Sequence, residues 1–141
     1  MDLIEGLQNK NNKEAYQLLL QLEEKSSQSD ELYTYFEAFV KLLKSSNSYV
    51  RTRGFRLACA QAQWDTEHKL EACLDELLLM LDDKKPTVVR QSLAALHLVV
   101  LYRPELSERI EKKLNSMDLY QYKDSMSPLI RKDIEELKKI M

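Results

Sequence analysis

A chain of 141 residues with only 2 Gly, 3 Pro and 31% charged side chains has the make-up of one helical domain. A net charge of −2 argues against a general nucleic-acid binder, which draws its affinity from neutralised phosphates. No apolar run approaches the ~18 residues of a membrane span, and Met1 to Leu7 shows no basic region or cleavage pattern, so a cytoplasmic protein without a signal peptide is expected.

In chain order, residues 2–8 predict a short helix closed by the polar run up to Asn12. Ala15, Leu18, Leu19 and Leu22 then mark an apolar stripe over 12–25. Ser29 or Asp30 can cap a helix over about 30–45, with Leu32, Phe36, Phe39, Val40 and Leu43 facing inward. The turn Ser45–Ser48 offers an N-cap for a helix over 48–63. Gly54 inside that helix costs stability, so it predicts close approach by a neighbouring backbone. Leu70, Cys73, Leu74, Leu77, Leu78 and Leu81 form the stripe of a helix over 66–81. Pro86 suits the first turn of the next, which runs to about 102. That helix is apolar nearly all round and is expected to be the most buried of all. Pro104 opens a helix ending near Asn115, and a last one starts near Asp124 or Ser127 with Ile130, Ile134 and Leu137 inward. Eight helices in four antiparallel pairs are expected, in a single domain spanning 1–141.

Three segments repeat at nearly even spacing: Ser48-Tyr49-Val50-Arg51, Thr87-Val88-Val89-Arg90 and Pro128-Leu129-Ile130-Arg131. Their arginines lie 39 and 41 residues apart, a period that signals a helical solenoid. The order of leucine-rich helix, polar turn and Val-Arg opening a second helix resembles HEAT repeats. It is clearest where Leu77–Asp83 leads to Pro86–Arg90 and then Leu93–Leu96. The resemblance implies an all-α, right-handed α-α superhelix. It also implies a concave face lined by the second helices, about 12–25, 48–63, 86–102 and 125–139. The segments Asn47–Gly54 and Tyr122–Met126 further resemble small bacterial HEAT-like proteins, some labelled SufB/SufD-related. An iron–sulfur cluster would want several converging thiolates, and Cys59 and Cys73 are the two in the chain. They read as reduced thiols, with no Cys-x-x-Cys pair for zinc, so no cofactor or metal is expected.

In HEAT-like proteins the repeated arginine pairs with an acid or carbonyl of a neighbouring turn. The resemblance therefore makes Arg51, Arg90 and Arg131 a structural ladder, with Asp82, Asp83, Asp118 or Asp124 as partners; the alternative is a basic stripe. Arg53 and Arg56 break the repeat, because Ser92 and Ala95 hold the equivalent places in the next unit. They are expected to be either solvated or an exposed patch for an acidic partner. Trp64 at a helix end is either a buried cap or a recognition residue, and Tyr33 could add to a binding surface. No nucleophile neighbours a base and no phosphate loop exists, so no catalytic residue is assigned. The expected function is a non-enzymatic adaptor holding a protein or peptide on its concave face, as a monomer or weak dimer. The alternative is a nucleic-acid end-binder of the HEAT-like glycosylase type that uses the arginine cluster.

Overall fold

The computed structural model describes residues 2–141, and 78% of them are helical. Among the described residues there are eight α-helices and no strand: α1 (Leu3–Leu7), α2 (Asn12–Gln28), α3 (Phe36–Lys41), α4 (Ser48–Ala60), α5 (Lys69–Leu78), α6 (Pro86–Tyr102), α7 (Ser107–Ser116) and α8 (Ser127–Lys138). Short 3-10 turns extend several of them, including Tyr33–Tyr35 before α3 and Ala62–Trp64 after α4. No helix among the described residues is long and apolar enough to cross a membrane.

Helix starts follow local chemistry. The Asn11 side chain accepts from Glu14 N–H at 3.2 Å, and that of Asn47 accepts from Tyr49 N–H at 2.9 Å, so each satisfies an otherwise orphaned amide. Pro86 opens α6, where its missing N–H removes nothing. The start of α5 departs from the sequence pattern. His68 adopts a left-handed conformation (φ 55°), so the helix begins at Lys69 and not at 66. Asp65 takes over the capping. Its two oxygens accept from Lys69 N–H at 2.8 Å and Leu70 N–H at 3.0 Å.

The even-numbered helices pack in sequence order: α2 on α4, α4 on α6, and α6 on α8. The odd helices lie against them, α1 on α2 and α3 on α4. One core cluster runs through the molecule, from Leu7 and Phe39 by way of Phe55, Leu57, Leu74 and Leu93 to Ile130 and Leu137. The closest approach is at Gly54. A Cβ there would stand 2.5 Å from the Phe39 carbonyl oxygen and 2.6 Å from Leu42 Cβ, so only glycine lets α4 settle on α3.

Burial corrects one expectation. The helix most enclosed is α4, not α6. Nine of the 13 residues of α4 are buried, against seven of the 17 of α6. The reason is position: α4 is covered by α2, α3 and α6 together. One side of α6 is left open, with Leu98 and Leu101 exposed on it.

Candidate binding face

The open side of the even helices carries three adjoining clefts, all bordered by Gln91 of α6. The first, about 400 Å³, lies where α2, α4 and α6 begin and is lined by Lys13, Tyr16, Tyr49, Arg53, Lys85 and Thr87 among others. The second, about 300 Å³, lies between Glu23, Arg56, Ala94 and Leu98. The third, about 380 Å³, lies between α6 and α8 beside Arg90, Met126 and Asp133. Tyr16 and Tyr49 stand exposed at the first cleft, with 47% and 58% of their surface open.

The structure separates the two arginines that the sequence grouped, and neither is a free surface cation. Arg53 is only 4% exposed. Its Nη1 donates to the Leu7 carbonyl at 2.7 Å and its Nη2 to Asn12 Oδ1 at 2.8 Å, tying the end of α1 to the start of α2. Burial holds its pKa below the usual arginine value. Arg56 forms a two-pronged ion pair with Glu23, at 2.9 and 2.7 Å, and also donates to Gln91 at 3.1 Å. Its guanidinium lies 5.7 Å from the Tyr16 ring centroid. Burial pulls its pKa down, but the bonds and charge of Glu23 outweigh that and the net shift is upward. The exposed patch expected of Arg53 and Arg56 is therefore corrected: both are engaged inside the fold.

Trp64 and Tyr33 are also engaged within the fold, Trp64 in keeping with the cap that was one of its two readings. Trp64 is half-buried and its Nε1 donates to the Ser26 carbonyl at 2.6 Å. The Tyr33 hydroxyl donates to Asp65 Oδ1 at 2.6 Å and accepts from Glu67 N–H at 3.2 Å. Burial, then the Asp65 bond, pushes its pKa up to about 12. Both residues brace helix ends and leave no polar atom for a partner.

The repeated arginines divide. Arg51 donates to the Ser45 carbonyl at 3.0 Å and to Asp83 at 2.8 Å, bridging two successive turns. Arg90 grips Asp133 of α8 at 2.7 and 3.3 Å, an acid outside the turns where its partner was expected. Arg131 is exposed and makes no hydrogen bond or ion pair among the described residues.

Lys13, Tyr16, Tyr49, Lys85 and Gln91 escaped sequence reading. Each sits in or near the first turns of a second helix, so equal repeat phase was the available signal. Their side chains are too ordinary to stand out singly. No group of three or more His, Cys, Asp or Glu side chains among the described residues is placed to hold a metal ion. Cys59 and Cys73 are unpaired. Burial raises both thiols, that of Cys73 to about 11, so neither is a thiolate near neutral pH. No protein-family model, curated protein or solved structure matches the chain.

Proposed function

We propose that this chain is a non-catalytic binding module whose α2–α4–α6–α8 face holds a protein or peptide segment. We read its layers as a HEAT-like, right-handed α-α superhelix of four helix pairs, with that face on the concave side. The observation that carries the reading is the row of three clefts meeting at Gln91. Adjoining clefts with exposed tyrosines and Leu98 suit an extended partner better than one small ligand. The unpaired thiols fit a reducing, cytoplasmic setting. The arginine cluster that the nucleic-acid alternative needs is split, with Arg56 neutralised by Glu23 at one cleft and Arg53 buried at another, and this favours the adaptor reading over it.

A photo-crosslinking residue placed at Ala94, between the second and third clefts, tests the reading against the same residue at Glu111 on α7. One discrete product at Ala94 and none at Glu111 is expected in extract of the native cell. The captured protein should then bind the purified parent and not Leu98→Glu. Equal labelling at both positions, or none at Ala94, overturns the proposal.

A further inference from the structure

We propose that the first cleft, where α2, α4 and α6 begin, binds a phosphate monoester group. Three cations line this space of about 400 Å³, Lys13, Arg53 and Lys85, and no Asp or Glu does. Arg53 is the decisive one. It is 4% exposed, so the cleft it lines is the main route by which its charge meets solvent. Its two acceptors are a carbonyl and an amide oxygen, both neutral. A guanidinium has five N–H donors, and Arg53 commits two of its groups within the fold. A buried cation without a carboxylate is costly, and an anion arriving in the cleft removes that cost. Arg51, Arg56 and Arg90 are each matched by a carboxylate and offer no such vacancy of charge.

The chemistry favours phosphoryl over carboxylate. A phosphate monoester carries about −1.5 to −2 at pH 7 and three acceptor oxygens, enough to engage an arginine fork and two lysines. Lys85 Nζ already donates to Ser48 Oγ at 3.0 Å, which holds it at the cleft. The starts of α4 and α6 add the positive ends of their dipoles. Among the three clefts, cations without a carboxylate partner are confined to this one, for Glu23 offsets Arg56 in the second and Asp133 offsets Arg90 in the third. One phosphoryl group therefore fits, and a run of nucleic-acid phosphates does not. The anion site stands on its own geometry. Only the source of the group rests on the docking reading, which supplies a phosphorylated side chain of the docked segment. A free phosphorylated small molecule is the other source of the same chemistry.

Titration followed by NMR tests this, with inorganic phosphate first, then glycerol 3-phosphate, then a short phosphoserine peptide beside its unphosphorylated form. Phosphate should shift the Arg53 Nε–H and the Thr52 and Thr87 amides in a saturable way, while acetate should not. Lys13→Ala with Lys85→Ala should weaken binding by at least about tenfold. Both lysines are exposed, so the melting curve should be unchanged. Tighter binding of the phosphopeptide than of glycerol 3-phosphate supports the site with a protein source, and the reverse supports it with a small-molecule source. No shift at about 20 mM phosphate, an equal response to acetate, or an unaffected double variant overturns it. Labelling at Ala94 is read separately, so the docking face can stand if the phosphoryl site fails.

Discussion

The two ends of α4 each bury one formal charge, and they treat it in opposite ways. Beyond the C-terminal end lies Asp65, 1% exposed. Its oxygens accept from the Tyr33 hydroxyl and from two backbone amides at the start of α5. Near the N-terminal end lies Arg53, almost as buried, with neutral acceptors only and an open cleft beside it. The anion is saturated by groups that must be there for α5 to start. The cation is left with donors to spare and a space next to them. A buried charge that is fully partnered reads as architecture. One that is only half partnered, next to a cavity, reads as a site.

This contrast depends on α4 lying where it does, and Gly54 fixes that. Gly54→Ala would drive a Cβ against the Phe39 carbonyl and Leu42, and the backbone of α3 or α4 must move. A loss of about 3 kcal/mol is expected in urea denaturation, with the disturbance spreading to Arg53 next to it. A fully stable Gly54→Ala would mean that the helices have room to slide, and the burial of Arg53 would then not be imposed by packing.

Removing each charge measures the difference directly. Asp65→Ala leaves three donors without their acceptor and uncaps α5, so a loss of about 2 to 3 kcal/mol is expected. Arg53→Met leaves the Leu7 carbonyl and Asn12 unpaired but also removes a poorly matched buried cation. These effects oppose each other, and the net change should stay within about 1 kcal/mol. Equal losses for the two variants would erase the distinction between the ends of α4. A small loss for Arg53→Met together with lost phosphate binding would sharpen it.

The paired arginines supply a scale between these cases. Arg51 and Asp83 have side chains only 21% and 11% exposed, and Arg51 also holds the Ser45 carbonyl. Arg51→Ala should cost about 1 to 2 kcal/mol. The Arg90–Asp133 pair is more open, and Arg90→Ala should cost under about 1 kcal/mol in thermal melts. If Arg90→Ala proves the worse of the two, exposure is not what ranks these pairs.

Most of the helical layout was legible because Leu stripes, Pro86 and the polar turn Ser45–Ser48 are local signals. The close approach at Gly54 was legible too, since nothing else explains a glycine in mid-helix. The placement of Arg53 was misread, although its phase held the answer. Val50, Arg53, Gly54 and Leu57 form one i, i+3, i+4, i+7 set, so the helix that buries Val50 and Leu57 buries Arg53 with them. Arg56 falls outside that set and meets Glu23 of α2, a contact 33 residues away that no local pattern encodes. The same holds for Tyr33, whose partner Asp65 is 32 residues on. The openness of α6 could not be read either, because a helix apolar all round looks buried until its neighbours are known.

The smallest expected effect probes the saturated end of α4 through pH. The Tyr33 hydroxyl donates to Asp65 in its neutral form, and burial with that bond raises its pKa from 10 to about 12. The folded chain thus holds this proton more tightly than the unfolded one. The resulting stability is fully present below pH 10 and is lost as pH rises through about 12. Lys69, 4.6 Å from the Tyr33 ring centroid, also has a raised pKa, chiefly through Glu37, and adds loss in the same direction. Tyr33→Phe isolates the tyrosine. The parent should exceed the variant by under about 1 kcal/mol at pH 9, because Tyr33 keeps some contact with water, and the gap should close by pH 12. Urea midpoints at both pH values give the comparison. A gap that stays constant would mean that the Tyr33–Asp65 bond contributes nothing in solution. Asp65 would then have a donor fewer than its burial suggests, and the two ends of α4 would be less different than their geometry makes them.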